Sequence, residues 1–214
     1  MEKDKMTEMY ERLGQLKLIP VVVIEDAADA EPLGQALLDG GLPCAEVTFR
    51  TAAAPQAISA LAELGGLLVG AGTVLTVDQA KQAVDSGAEF IVTPGFSPQV
   101  VGYCVDNDIP VTPGVCTPSG IEAALGFGLN VVKFFPAEAF GGLKTLKAIG
   151  GPYGMMKFIP TGGISADNLV DYLAFEKVLA CGGSWIVKKD LIAAKNFTEI
   201  TSLTRDAVSL ASKA

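Results

Sequence analysis

Histidine is absent from the 214 residues of this chain, and its absence excludes several kinds of chemistry. Without imidazole, neither Ser-His-Asp nor Cys-His catalysis is available. Zinc sites that depend on histidine are excluded as well. Any catalysis must use Lys, Glu, Asp, Tyr, Ser, Thr or Cys side chains.

Long apolar runs and paired cysteines are also missing. The segment Ile19–Ile24 is among the longest apolar runs, and it is far too short to span a bilayer. The segment Met1–Pro20 is charged and has no apolar core of the kind that a signal peptide needs. No CxxC spacing links the four cysteines, Cys44, Cys104, Cys116 and Cys181. We interpret them as reduced thiols, mostly buried, and expect a cytoplasmic protein without a membrane partner.

Positive charge is scarce. The chain has 16 Lys and Arg residues and 24 Asp and Glu residues, which gives a formal net charge of −8. An acidic surface repels phosphate backbones, so we predict no nucleic-acid partner. It follows that a site for an anionic small molecule would have to be built locally.

Short apolar runs alternate with amphipathic, Ala- and Leu-rich stretches along the whole chain. The predicted strands are Leu18–Ile24, Cys44–Phe49, Leu67–Gly70, Phe90–Thr93, Pro110–Thr112, Val131–Phe135, Lys157–Thr161 and Lys177–Cys181. The predicted helices are Ala30–Asp39, Pro55–Leu64, Val77–Ser86, Pro98–Asn107, Pro118–Phe127, Gly142–Ile149, Ala166–Ala174 and a last one near Thr198–Ser212. Such alternation predicts a parallel sheet whose strands are buried on both faces.

Eight strand–helix units in a chain of this length predict an α/β fold with one domain over residues 1–214, a single (β/α)8 TIM barrel. An open doubly wound sheet is the alternative, but no GxGxxG motif follows the first strand. We interpret Lys3–Lys17 as an extra N-terminal helix that caps the bottom of the barrel.

Turn-forming and polar residues follow the predicted strands from the second onward. The strand ends are Ala71–Thr73, Thr93–Gly95, Thr112–Gly114, Thr161–Gly163 and Cys181–Ser184. Each could be simple turn chemistry. In a barrel, however, all of them lie at the C-terminal face, where active sites are found.

Lys133 lies inside an apolar strand, between Val132 and Phe134. If it is unpaired and buried, the cost of desolvating an ammonium favours the neutral amine. A neutral amine is a nucleophile that can form an imine with a ketone. A lysine at a strand end that extends into solvent is the alternative.

Glu46, Thr48 and Arg50 alternate with Val47 and Phe49 and so share one face of the second strand. A carboxylate there could carry protons, and a guanidinium could neutralise a substrate carboxylate. A structural ion pair at the barrel mouth is the alternative.

Paired glycines close the last two predicted strands. Thr161, Gly162 and Gly163 end the seventh, and Gly182 to Ser184 end the eighth. Exposed backbone N–H groups at these two loops commonly bind phosphate in barrels. Thr73 could donate to a carboxylate or carbonyl oxygen. Phe135, two residues after Lys133, would help to exclude water from the Lys133 amine.

Together these motifs resemble the 2-keto-3-deoxy-6-phosphogluconate (KDPG) aldolase family, which includes the 4-hydroxy-2-oxoglutarate aldolases. The resemblance rests on Pro20–Val23, Glu46–Thr51, Gly70–Val74, Thr93–Gly95, Thr112–Val115, Val132–Ala137, Pro160–Ile164 and Gly182–Trp185. These segments cover most of the chain in order, and no motif position departs from the family pattern.

The resemblance implies a role for each candidate residue. Lys133 is similar to the Schiff-base lysine of the family, and Glu46 to its general acid/base, which acts with a bound water. Arg50 and Thr73 match positions near the pyruvyl carboxylate. Pro94 and Phe135 match the pocket wall. Gly162, Gly163 and Ser184, next to Thr161, match the phosphate-binding strand ends.

The implied protein is a metal-free homotrimer of (β/α)8 barrels without a cofactor. It would cleave KDPG to pyruvate and glyceraldehyde 3-phosphate in catabolism of the Entner–Doudoroff type, so its partners are a small 2-keto acid and a phosphorylated aldehyde. Three alternatives stay open. One is a preference for 4-hydroxy-2-oxoglutarate or for the galactonate epimer. The others are a phosphate-binding barrel isomerase or epimerase and a non-catalytic barrel.

Overall fold

The computed structural model describes residues 4–214, and its strands form one parallel barrel. The strands are β1 (Leu18–Val22), β2 (Cys44–Thr48), β3 (Leu68–Gly72), β4 (Phe90–Val92), β5 (Val111–Thr112), β6 (Gly114–Val115), β7 (Val131–Phe134), β8 (Lys157–Pro160) and β9 (Cys181–Gly183). Their hydrogen-bonded order is β5-β4-β3-β2-β1-β9 in one sheet and β6-β7-β8 in another. All of these pairings are parallel.

Pro113 divides the fifth barrel strand into β5 and β6. Proline has no N–H to donate to a ladder, but its carbonyl still accepts a bond of 2.9 Å from the N–H of Lys133. The chain therefore continues from one sheet into the other. Parallel bridges between Phe158 and Val178 and between Thr161 and Gly182 join the remaining edges. The expected (β/α)8 fold class is confirmed.

The last strand lies later in the chain than the sequence predicts. We expected Lys177–Cys181, but regular pairing begins only at Cys181, where the chain meets Leu18 of β1. Upstream of Cys181, the Lys177 ammonium donates to the carbonyls of Gly150 and Tyr153 instead. The predicted apolar run is a connection that carries one bridge, and the glycines after it form the strand.

Helices surround the barrel. They are α1 (Lys5–Leu16), α2 (Ala30–Asp39), α3 (Ala54–Leu64), α4 (Val77–Asp85), α5 (Pro98–Asp106), α6 (Pro118–Gly126), α7 (Gly142–Gly150), α8 (Leu169–Leu173), α9 (Lys189–Ala193) and α10 (Phe197–Ala211), with short 3₁₀ turns at Ala27–Asp29 and Glu138–Phe140. Thr76, Ser97 and Thr117 cap α4, α5 and α6 through their hydroxyls. Side-chain caps of this kind start a helix soon after the preceding strand end.

Two helices differ from expectation. The predicted helix Ala166–Ala174 is reduced to α8, because Ser165 and Asn168 hold the preceding residues in a turn through side-chain hydrogen bonds. The short helix α9 was not predicted. Five residues are too few to show helical periodicity.

The N-terminal helix covers the N-terminal end of the barrel, as the sequence predicts, although Lys3 lies outside the described residues. Asp4 caps α1 at Thr7, and Lys17 ends it with a left-handed φ of 60°. Met9, Tyr10 and Leu13 are buried against inward-facing residues of the strands. The Tyr10 hydroxyl donates to the Val111 carbonyl at 2.8 Å, so α1 closes this end and leaves the other end open.

Among the helices of residues 4–214, none combines the length and the apolar character needed to cross a membrane.

Candidate active site

A buried ion pair lies inside the barrel at the level of the C-terminal strand ends. The Lys133 Nζ of β7 lies 3.1 Å from Glu46 Oε1 of β2. The two residues are only 6% and 2% exposed. Both side chains point inward, since each is in register with inward-facing residues of its neighbouring strands. The two chemically reactive residues that the sequence singled out are therefore in direct contact.

This contact corrects one premise of the sequence argument. The sequence argument for a neutral amine applied to an unpaired Lys133, whereas the structure gives Lys133 a carboxylate partner. A separation of 3.1 Å is within hydrogen-bond reach, the distance that direct proton transfer requires. Proton transfer between the two groups would therefore require no large movement of either side chain.

Glycines make room for this pair. A methyl group on Gly72 would lie 2.2 Å from Glu46 Oε1. Any side chain at position 72 would therefore collide with the Glu46 carboxylate. Gly114 is in register with Lys133, and a methyl group there would lie 2.2 Å from the Pro94 carbonyl. Pro94 therefore packs against the strand beside Lys133.

Phe135 lies just beyond the end of β7. Its ring centroid is 5.4 Å from Lys133 Nζ, a cation–π distance. The residue is half-buried, and it also lines a cavity at the barrel mouth. Phe135 thus forms the boundary between the buried ion pair and the open space above it.

Arg50 and Thr73 meet at the mouth. Arg50 lies beyond the end of β2 and is exposed, and its Nε donates to Thr73 Oγ1 at 3.4 Å. Thr73 has a φ of 55°, which is rare and costly for a β-branched residue. Backbone strain of this kind is concentrated at functional sites. It holds the hydroxyl of Thr73 next to the guanidinium.

The cavity at the mouth has a volume of about 680 Å³, which suits a small-molecule ligand. Six of the predicted site residues line it: Arg50, Phe135, Thr161, Gly162, Gly163 and Ser184. Of the other four, Thr73 and Lys133 contact the lining residues Arg50 and Phe135, Glu46 contacts Lys133, and Pro94 lies beside Gly114. The fold thus brings nine of the ten predicted residues together around this cavity.

The loop after β8 is held in a fixed shape from two sides. Gly162 and Gly163 have φ values of 95° and 82°, which glycine alone adopts easily. The N–H groups of Ala137 and Glu138 donate to the carbonyls of Thr161 and Gly162 at 2.8 and 3.0 Å.

On the other side of this loop, Asn168 Nδ2 donates to the Gly163 carbonyl at 3.0 Å, and Asn168 Oδ1 accepts from the Ser165 N–H at 2.9 Å. These partners orient the loop toward the cavity before any ligand arrives.

Sequence reasoning missed several lining residues. Lys188 and Lys189 were not among the candidate residues, yet both line the cavity, as do the apolar residues Val21, Val23 and Trp185. A methyl group on Gly183 would overlap the Trp185 ring at 1.9 Å, so the Gly-Gly-Ser-Trp motif also serves packing. The sequence signal that could have identified the two lysines is their position, since both follow the candidate residue Ser184 within five residues.

A second cavity, of about 530 Å³, lies at the opposite end of the barrel beside α1 and contains none of the predicted site residues. Within residues 4–214, no cluster of three or more Cys, Asp or Glu side chains is arranged to hold a metal ion.

Comparison with known proteins identifies the family of this chain. Residues 9–203 match the family model described as KDPG and KHG aldolase. The chain is 48% identical to the 2-dehydro-3-deoxy-phosphogluconate aldolase of Treponema pallidum over 206 residues, which cover 96% of this chain and 98% of that protein.

Two solved structures are also similar. The 2-keto-3-deoxy-6-phosphogluconate aldolase of Zymomonas mobilis, solved with 3-phosphoglycerate, has a TM-score of 0.88 at 38% identity and covers 94% of this chain and 95% of that one. The KDPG aldolase of Legionella pneumophila, with pyruvate captured as a covalent carbinolamine, has a TM-score of 0.87 at 41% identity, with 90% and 96% covered. This chain belongs to the KDPG and KHG aldolase family.

Proposed function

We propose that the chain is a class I aldolase that cleaves KDPG to pyruvate and glyceraldehyde 3-phosphate through a Schiff base on Lys133. The observation that carries the proposal is the buried contact between Lys133 Nζ and Glu46 Oε1. A lysine nucleophile needs a neighbouring base to free its lone pair and to shuttle protons during imine formation.

Imine formation is the first stage. Glu46 takes a proton from Lys133, and the neutral amine attacks the C2 ketone to form a carbinolamine. Glu46, now protonated, returns the proton to the departing hydroxyl, which leaves as water. The resulting protonated imine can accept the electron pair that carbon–carbon cleavage releases.

Cleavage and release follow. Glu46, through a water molecule, removes the proton of the C4 hydroxyl, the C3–C4 bond breaks, and its electrons move into the imine as an enamine. Glyceraldehyde 3-phosphate leaves. Glu46 returns this proton, through water, to C3 of the enamine, and water hydrolyses the pyruvate imine to restore Lys133. No metal or cofactor enters this proposed sequence.

The two ends of the substrate would be held by different residues. Arg50 and Thr73, in contact with each other, suit the pyruvyl carboxylate. Thr161, Gly162, Gly163 and Ser184 line the same cavity and suit the phosphate. Phe135, 5.4 Å from Lys133 Nζ, and Pro94, beside Gly114 of the neighbouring strand, suit the walls of the pocket. An aldolase of this kind acts in sugar-acid catabolism of the Entner–Doudoroff type.

Substrate kinetics test this proposal. We expect kcat/KM to be highest for KDPG among KDPG, its galactonate epimer and 4-hydroxy-2-oxoglutarate, with pyruvate as a common product. A higher value for 4-hydroxy-2-oxoglutarate would make the chain chiefly a hydroxy-oxoglutarate aldolase with the same lysine. If substrate were consumed without release of pyruvate, the isomerase or epimerase alternative would replace the aldolase.

We further propose that the protein is a cytoplasmic homotrimer, as the family resemblance implies. Sedimentation equilibrium should give three times the mass of one chain. A monomer or dimer at micromolar concentration would contradict the trimer, and recovery in a membrane or secreted fraction would contradict the location.

A further inference from the structure

Positive charge is concentrated at the mouth cavity, although the chain as a whole is acidic at −8. Arg50, Lys188 and Lys189 line this cavity, and none of the lining residues that the structure describes is Asp or Glu. A concave surface with charges of one sign attracts and retains ligands of the opposite sign. Three cations exceed what the pyruvyl carboxylate alone requires.

The two lysines differ in their surroundings. Lys189 Nζ lies 3.2 Å from Glu25 Oε1, so a carboxylate already balances its charge. The ammonium of Lys188 has neither a hydrogen-bond acceptor nor an ion-pair partner among residues 4–214. Lys188 is therefore the lysine at this cavity whose charge is available to a ligand.

Lys188 is also on the phosphate side of the cavity. The Val187 N–H donates to the Ser184 carbonyl at 3.1 Å, and this turn keeps Lys188 close to the Ser184 end of the lining. Arg50 is engaged with Thr73 instead. The positive charges are thus divided between the two ends proposed for the substrate.

We propose that Lys188 is a specificity-determining residue that selects phosphorylated substrates by pairing with the phosphoryl dianion. This inference rests on the proposed function. The glycine loops and Ser184 offer N–H and O–H dipoles, whereas a phosphate ester carries a charge of about −1.5 to −2 near neutral pH. Lysine binds phosphate as a flexible point charge, and a full charge separates a phosphate from a neutral hydroxyl more strongly than dipoles do.

The test compares Lys188→Gln with the matched variant Lys189→Gln on KDPG and on its unphosphorylated counterpart, 2-keto-3-deoxygluconate. For Lys188→Gln we expect kcat/KM on KDPG to fall about fivefold, mainly through KM, which is the upper end of what one charge contact at a partly open site contributes. The value on the unphosphorylated substrate should stay within twofold, about the scatter of surface substitutions. Lys188→Arg should recover most of the loss on KDPG.

Ionic strength gives a second readout. Added salt should weaken the wild-type preference for KDPG and should have less effect on Lys188→Gln, since the charge that salt screens is gone. Equal losses for Lys188→Gln and Lys189→Gln, or an equal loss on both substrates, would overturn the inference. If the wild type showed no preference for phosphorylated substrate, the proposed function would fail. An intact preference in Lys188→Gln would refute the role of Lys188 alone.

Discussion

At the scale of single residues, the site consists of a lysine and a carboxylate that the sequence separates by 87 positions and the fold brings to 3.1 Å. Both are buried, so each depends on the other for compensation of its charge. The lysine is proposed to form the covalent bond to substrate, and the carboxylate to move the protons. Substitutions should therefore affect catalysis unequally.

Replacement of Glu46 by Gln should lower kcat by about 10²–10⁴-fold, the usual contribution of a positioned acid/base. The amide keeps the shape of the carboxylate but cannot take the proton of Lys133. Steady-state kinetics on KDPG measures this effect. Glu89→Gln is the matched control, because it removes an exposed carboxylate that is paired with Arg12 far from the cavity. Full turnover by Glu46→Gln would refute the assigned role.

Alternation along β2 was enough to place Glu46, Thr48 and Arg50 on one face of that strand. It was not enough to predict that Glu46 touches Lys133, because contact across a barrel depends on tilt and register that no local pattern contains. For the same reason, the sequence could not show whether Lys133 is paired. The proximity of Arg50 to Thr73 likewise depends on a left-handed backbone at Thr73.

At the scale of elements, the loop after β8 is linked to the helices behind it through Glu138. The Glu138 N–H donates to the Gly162 carbonyl, and its carboxylate accepts a hydrogen bond from the hydroxyl of Tyr172 in α8. Burial, together with the Glu138 carboxylate, raises the pKa of Tyr172 above its ordinary range, so the hydroxyl stays a donor.

Tyr172→Phe should therefore raise KM for KDPG and leave the rate of imine formation with pyruvate nearly unchanged. The lost hydrogen bond should reduce the free energy of unfolding by about 0.5–1.5 kcal/mol. Steady-state kinetics and chemical denaturation measure the two effects. Tyr153→Phe is the control, because it removes a 2.9 Å bond to Glu122 on the protein surface. Equal KM values for the two variants would show that the link to Glu138 does not position the loop.

Prediction of elements succeeded where each has its own periodicity and failed where tertiary contacts decide. Helix α2 has the predicted bounds, and most strands differ by one or two residues at their ends. The last strand was misplaced because Gly182 and Gly183 have low strand propensity, yet Gly182 fits there since a side chain would collide with Thr161. The break at Pro113 is marked in the sequence by the proline itself.

At the scale of the whole molecule, the burial of the four cysteines indicates how closely the chain is packed. Cys44, Cys104 and Cys181 are fully buried, whereas Cys116 is half-buried. Burial raises the pKa of the Cys44 and Cys181 thiols strongly and that of Cys104 to about 12. Hardly any thiolate is present at these three positions at pH 8, and the thiolate is the reactive form.

Ellman's reagent at pH 8 should consequently modify Cys116 in the native protein, and the other three only after unfolding. Peptide mass mapping of the labelled protein identifies the sites, and labelling in guanidinium chloride provides the four-thiol reference. Rapid native labelling of Cys44 or Cys181 would mean that the barrel opens far more readily than its packing indicates.

The fold class followed from the alternation of strand and helix across the chain, and the family from an ordered set of motifs that extends over most of it. Electrostatics at the mouth was predictable only in part. The net charge indicated that an anion site must be local, but the convergence of Arg50, Lys188 and Lys189 depends on loops that meet only in the closed barrel.

Covalent trapping tests the central proposal most directly. Protein incubated with pyruvate and sodium borohydride should gain one reduced pyruvyl group per chain, on the peptide that contains Lys133. Lys157→Ala, which removes an exposed lysine of the neighbouring strand β8, should be trapped as the wild type is, and Lys133→Ala should not. Absence of an adduct on folded protein in excess pyruvate, or an adduct on another lysine, would contradict the Schiff-base mechanism.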